Sequence, residues 1–223
     1  MKRSQRQMSE SIQLGAVLAL AGGFMDAYSY MCRGHVFANA QTGNILLMGV
    51  HLSQGEWGDA LHYLFPVMSF VVGLALADLF RLIRRGTERL HWRQMTVGLE
   101  ALVLFGVSFL PQQYNLLANC LTSLACGIQV ESFRKIHGTG MATTMCIGNL
   151  RSATQNLCEY VRTRNRKKAE LSAVYFFIII CFTLGAIFGN LAVGWFAEGA
   201  LRVSTAILVI AFVMMFVHPE GEI

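Results

Sequence analysis

The sequence predicts an all-α integral membrane protein of about six transmembrane helices, arranged as two inverted three-helix repeats, each with a polar Gly-Asn re-entrant or broken-helix segment. Three observations lead there. Hydrophobic residues make up 54% of the 223 residues and charged ones only 14%, against roughly 25% charged in an ordinary soluble domain. Apolar runs of spanning length recur along the chain. Lys and Arg fall almost entirely on one side of a six-span threading.

The runs sit near Ile12–Met31, Leu61–Ile83, Trp92–Leu110, Tyr114–Phe133, Leu171–Ala197 and Leu201–Val217, each close to the roughly 20 residues that cross a hydrocarbon core of about 30 Å. Lys2, Arg3 and Arg6 ahead of Ile12–Ala21 resemble a secretory signal, but more spans follow and no clear small-residue cleavage site does, so the first run is read as a retained helix. No separate soluble domain fits in what remains. The whole chain, 1–223, is one membrane domain, with a first repeat over 12–110, a second over 114–217 and a basic cytoplasmic segment over 151–168.

Two further segments, Gly34–Leu52 and Gly138–Leu150, are rich in Gly, Thr, Asn and Ala, and hydropathy alone does not decide whether they span. Positive charge decides, because Lys and Arg near helix ends favour the cytoplasmic side. If neither spans, Lys2, Arg3, Arg6, Arg81, Arg84, Arg85, Arg89, Arg93, Arg134, Lys135, Arg151, Arg162, Arg164, Arg166, Lys167 and Lys168 are cytoplasmic, and only Arg33 and Arg202 lie outside. If both span, the split becomes nine to nine. Six spans with both termini cytoplasmic follow, and both segments enter and return. The net charge of +5 flanks apolar runs rather than interleaving with aromatics, which marks topology and excludes nucleic acid as a partner.

The chain also repeats itself. A shift of 105 residues lays Gly22 on Gly127, Asp26 on Glu131, Gly43 on Gly148 and Asn44 on Asn149. A shift of 112 lays Phe70 on Phe182, Gly73 on Gly185, Ala77 on Gly189 and Asp78 on Asn190. Three spans per unit is an odd number, so the second unit is threaded upside down, as in many transporters. Irregular backbone cannot face lipid, so each Gly-Asn segment is packed in protein or lines a watery cavity.

Those segments supply the candidate solute ligands. In the first unit they are Asp26, Asn39, Thr42, Gly43 and Asn44; in the second, Gln129, Thr144, Gly148 and Asn149. Glycine lets backbone approach a solute, Thr and Asn offer donors and acceptors, and a helix starting there aims its first amides at a polar or anionic group. The competing reading is that these groups only cap and cross-link short helices, since buried polar groups must be paired. Intramembrane carboxylates are costly and functional by default, which makes Asp26, Glu100 and Glu131 candidates for proton or ion coupling. Asp26 and Glu131 can equally pair with Arg33 or Arg134. Arg33, His35 and His137 sit beside the Gly-Asn segments, where structural roles are the simpler expectation for lone histidines. Gly73/Ala77 and Gly185/Gly189 read as helix packing.

The G-G-x-x-D-A run at Gly22–Ala27 followed by V-F-A-N-x-x-T-G-N at Val36–Asn44 resembles the YoaK family of bacterial multi-pass membrane proteins, a family of unknown function. The resemblance runs over nearly the whole chain, more loosely in the second half through Gly127, Gln129, Thr143, Thr144 and Gly148. It implies a bacterial inner-membrane location and supplies no substrate.

A secondary transporter or exporter of a small polar or anionic solute, with proton coupling as an option, is the function these features favour; a channel-like pore or a non-transport assembly or sensor protein are the alternatives. H-E-x-x-H, G-x-S-x-G and phosphate-loop motifs are missing, and the six cysteines lack C-x-x-C spacing. No catalysis, metal or cofactor is therefore expected. The basic segment is expected to meet anionic headgroups of the bilayer, and small-residue helix faces suit a homodimer.

Overall fold

A computed structural model describes residues 11–83, 89–136 and 139–217. Among them run eight α-helices: α1 Ile12–Cys32, α2 Gln41–Gln54, α3 Trp57–Ile83, α4 Arg89–Val107, α5 Asn115–Ser132, α6 Cys146–Thr163, α7 Arg166–Phe196 and α8 Leu201–Val217. A two-residue antiparallel pair, β1 Lys135–Ile136 with β2 Thr139–Gly140, and short 3-10 turns at Gln112–Tyr114 and Ala197–Ala200 complete them. Local chemistry sets several ends. Ser11 caps α1 by accepting from the Leu14 amide at 3.1 Å, and Asn165 caps α7 by accepting from Lys167 at 3.1 Å. The half-length α2 stops at Gly55 and α6 at Arg164, both in the left-handed region (φ 76° and 54°), and each turns directly into a long helix.

Ile12–Cys32, Trp57–Ile83 and the stretch Arg166–Met215, which takes in α7 and α8, are long and apolar enough to cross a membrane. Their outward faces are apolar too. Phe65, Met68, Val72 and Leu76 on α3 and Ile180, Leu184, Ile187 and Leu191 on α7 are exposed. In water each such side chain would forgo roughly 25 cal/mol per Å² of burial, and a continuous belt of them is the surface of an α-helical membrane protein.

Inside the belt, α1 packs chiefly on α7 and α3 on α5; α2 lies along α3 and α6 along α7; α4 meets α5 and α8, and α8 also meets α1. With little hydrophobic force between helices in lipid, close approach of backbones is what holds such pairs. Glycines permit it. A Cβ on Gly23 would run into the Phe182 carbonyl, one on Gly185 into that of Leu20, and one on Gly189 would come within 2.7 Å of the Phe24 carbonyl. Between α3 and α5, Gly73 faces the Leu124 carbonyl and Gly127 that of Phe70. Gly73, Gly185 and Gly189, assigned to packing from sequence, are thus at backbone contacts. The apolar core gathers Leu14, Leu18, Phe24 and Tyr28 of α1 with Leu104 of α4 and Leu208 and Met215 of α8.

A polar knot ties one end of the bundle. Arg33, fully buried just past α1, donates through Nε to Tyr28 Oη at 2.8 Å, through Nη1 to Asn115 Oδ1 at 3.2 Å and through Nη2 to the Val107 carbonyl at 3.3 Å. Asn119 Nδ2 donates back to the Arg33 carbonyl at 2.7 Å. One guanidinium so joins the ends of α1 and α4 to the start of α5, where charge-assisted bonds are the stronger kind. The expected pairing of Asp26 with Arg33 does not form, because these neutral acceptors occupy the guanidinium. Glu131 does pair with Arg134, at 3.3 Å, in a half-buried cluster with Arg81 and Asp78 at the other end.

Candidate functional site: two chain tips meeting on the middle of one helix

The site begins with α1 as a ruler. At 1.5 Å per residue its 21 residues span about 31 Å, and Gly22 stands at its middle. After Cys32 the chain reverses through Gly34 and His35, both at positive φ (81° and 59°), and runs back beside α1. Tyr30 stacks on Phe37 with centroids 4.8 Å apart. Asn39 then reaches Gly22, donating through Nδ2 to its carbonyl at 3.3 Å. From that depth the 14-residue α2 climbs back toward the end it left, ahead of α3.

Asp26, one turn beyond Gly22, holds this tip. Its Oδ1 accepts from the backbone amides of Asn39 at 2.6 Å and Ala40 at 3.3 Å. Ala40 is the N-cap of α2 and has no side chain with which to cap it, so a carboxylate from another helix does so. The second tip arrives from the opposite direction. After β2 the chain brings Thr144 onto the same residue, where a Cβ added to Gly22 would overlap the Thr144 methyl. The helix α6 then starts at Cys146.

The two asparagines serve the tips from within. Asn44 accepts from the Phe37 amide at 2.9 Å and donates to the Phe37 carbonyl and to Gln41 Oε1, both at 2.8 Å. Asn149 donates to the Ala142 carbonyl at 2.7 Å. Each bonds backbone seven residues upstream, which pins the loop to the helix that follows. Gly43 packs under the Phe37 ring, 2.7 Å from where its Cβ would lie. Thr42 and Gly148 face outward and do not join the cluster.

Four buried oxygens, on Asp26 and on the two tips, have no partner among the described residues: Asp26 Oδ2, Asn39 Oδ1, Thr143 Oγ1 and Thr144 Oγ1. The four residues are between 2% and 8% exposed. An unmet buried polar atom costs about 1–3 kcal/mol, so four on the tips and the residue that holds the first of them call for an explanation. A second buried carboxyl lies on α4. Glu100 of α4 is buried against Gln129 of α5, whose amide nitrogen, when turned toward it, sits 2.5 Å from Oε1 and 2.9 Å from Oε2. Cys126 of α5 is fully buried, its Sγ donating to Met25 Sδ at 3.8 Å.

The structure thus brings Asp26, Asn39 and Thr144 together around Gly22, sets Glu100 against Gln129, and leaves Glu131 in the ion cluster with Arg81. His35 is exposed and stands edge-on to Tyr30, and His137 lies outside the described residues. Thr143, buried next to Thr144, was not chosen as a ligand by sequence reasoning. The Thr143-Thr144 pair directly before α6 was the available signal.

Comparison with known proteins adds lineage. No solved structure matches. The curated UPF0700 transmembrane protein YoaK of Bacillus subtilis (strain 168) is 27% identical over 188 residues, covering 79% of this chain and 81% of that protein. A family model described as "Protein of unknown function (DUF1275)" matches residues 14–214. The chain therefore belongs to the DUF1275 family.

Proposed function

We propose that the protein is a secondary transporter of a small solute, bound where the two tips meet on α1. The observation that carries this is the set of partnerless buried oxygens on Asp26, Asn39, Thr143 and Thr144, at mid-depth of a membrane helix, where intramembrane polar groups mark solute paths. The packing of Thr144 directly on Gly22 favours an occluded site over an open channel. Glu100 and Gln129 form a proton relay beside it: a neutral carboxyl donates to the amide carbonyl, and an ionised one accepts from the amide nitrogen after the amide turns.

The architecture behind the proposal is six spans in two inverted units, α1–α4 and α5–α8, in the bacterial inner membrane with both termini cytoplasmic. Helix pairings support the symmetry. Exchanging the units turns α1 on α7 into α5 on α3, α2 on α3 into α6 on α7, and α4 on α5 into α8 on α1, while α4 on α8 maps to itself. Glycine contacts repeat in the same way, Gly23 on Phe182 with Gly127 on Phe70, and Gly185 on Leu20 with Gly73 on Leu124. Transport then proceeds by rocking of one unit against the other, exposing the tips to each side in turn. Arg151, Arg162, Arg164 and Lys168 on and after α6 meet anionic headgroups.

A ligand screen by thermal unfolding, followed by uptake of hits into proteoliposomes, tests the proposal. Saturable flux is expected, driven by an inward proton gradient in wild type and uncoupled from it in Glu100→Gln. Flux that rises linearly with concentration and ignores Glu100→Gln would mean a pore without a coupled site.

A further inference from the structure

We infer that the turn between α2 and α3 binds one divalent transition-metal ion of the zinc class, through an imidazole nitrogen of His51 and carboxylate oxygens of Glu56 and Asp59. The site lies apart from the tips, and neither it nor its test depends on the transporter reading.

Convergence is the first ground. One ligand atom from each of the three residues lies within 4.8 Å of the other two, and His51 Nδ1 is already 2.6 Å from Glu56 Oε2. Around a tetrahedral zinc with bonds of about 2.0–2.1 Å, ligand atoms stand roughly 3.3 Å apart, so small rotations of two exposed carboxylates complete the set. The backbone brings them there. The helix α2 ends at Gly55, whose left-handed φ of 76° turns the chain so that the Glu56 amide donates to the His51 carbonyl at 2.9 Å, and Asp59 follows in the first turn of α3. The ring of His51 is held in place by stacking on buried Tyr63 of α3, with centroids 5.5 Å apart and planes at 17°. Spacings of five and three residues cross a turn rather than follow one helix face, so the sequence carries no ligand motif there.

The donor set chooses the ion. Imidazole suits zinc and its transition-metal neighbours, whereas calcium takes six to eight oxygens and magnesium a near-ideal octahedron of them. Charge agrees: a neutral imidazole with two carboxylates carries two negative charges, which one divalent cation cancels. No Lys or Arg occurs between Arg33 and Arg81, so neither helix brings a competing positive charge to the turn. An exposed His–Glu pair and an acidic residue at a helix start have ordinary roles. Those roles account for the pair and for Asp59 separately, not for the meeting of all three. A bound ion would fasten the last turn of α2 to the first turn of α3.

The test is thermal unfolding of the purified full chain, free of affinity tag and stripped with EDTA, in detergent at fixed ionic strength with zinc or magnesium chloride. Zinc is expected to raise Tm saturably by about 5 °C, EDTA to reverse the rise, and magnesium to leave Tm unchanged. His51→Asn and Asp59→Asn should each abolish most of the rise. Asp59→Asn leaves the His51–Glu56 bond and the Tyr63 stack in place, so a purely structural pair would not respond to it. His35→Gln and Cys158→Ser, at exposed positions outside the triad, should keep the full rise. Equal Tm with and without zinc, an equal rise with magnesium, or a rise that survives Asp59→Asn overturns the inference. Zinc retained after equilibrium dialysis gives a second reading that needs no melting transition. Wild type should hold one ion per chain more than Asp59→Asn, and equal content in the two overturns the inference.

Discussion

Replacing Gly23 with valine is expected to remove most of the folded protein, lowering stability by on the order of 3 kcal/mol or more and the yield of monodisperse protein with it. The neighbour that a Cβ would strike is the backbone carbonyl of Phe182, with the Ala186 amide 3.0 Å away. A side chain can rotate aside, but this carbonyl belongs to a 31-residue helix. The α1–α7 seam must therefore open along its length. Gly127→Val should cost a similar amount, because it faces the Phe70 carbonyl at the other seam. Gly194→Ala is the control: a Cβ there meets nothing within 4 Å, and the gain in helix propensity of up to about 1 kcal/mol should leave the protein at least as stable. Thermal unfolding of the three variants in detergent checks the set, and equal loss at Gly23 and Gly194 would remove the close-packing argument.

Asp26→Ala should abolish solute flux and also cost about 2–4 kcal/mol, because it strips the acceptor from the buried amide of Asn39 and the part-buried one of Ala40. Asp26→Asn separates the two roles. Its carbonyl oxygen can still accept from the tip, so most stability should return while flux stays absent. Proteoliposome uptake alongside unfolding midpoints measures both, and full flux in Asp26→Asn would reduce the residue to a cap.

Much of this was legible in the sequence. Helix positions followed from apolar runs, and the distribution of Lys and Arg supplies the expectation, on which the proposed threading rests, that both Gly-Asn segments return rather than span. The register of the proposed repeat was legible only to within a residue. Sequence matching aligns Gly22 with Gly127, but backbone contacts pair Leu20 with Leu124 and Gly23 with Gly127, a shift of 104 residues. Two adjacent glycines offer either match, and only the seam chooses. By that register Asp26 aligns with Val130, which explains why Glu131 belongs to an ion cluster while Asp26 caps a tip. The asparagines keep the shift of 105, as their bonds to Phe37 and Ala142 require. Arg33 was illegible for another reason: a charge beside a turn reads as exposed until Tyr28, Asn115 and Val107 are folded around it.

The re-entry of both tips is best tested by labelling single cysteines in a cysteine-free background with a membrane-impermeant reagent. His35→Cys and Glu56→Cys bracket the first tip with its helix α2, and Lys135→Cys and Arg164→Cys bracket the second with α6; all four positions are exposed. In intact cells the first pair should label and the second only after permeabilisation. Opposite labelling of His35→Cys and Glu56→Cys would mean that α2 crosses the membrane, and the meeting of the two tips at mid-depth would be lost.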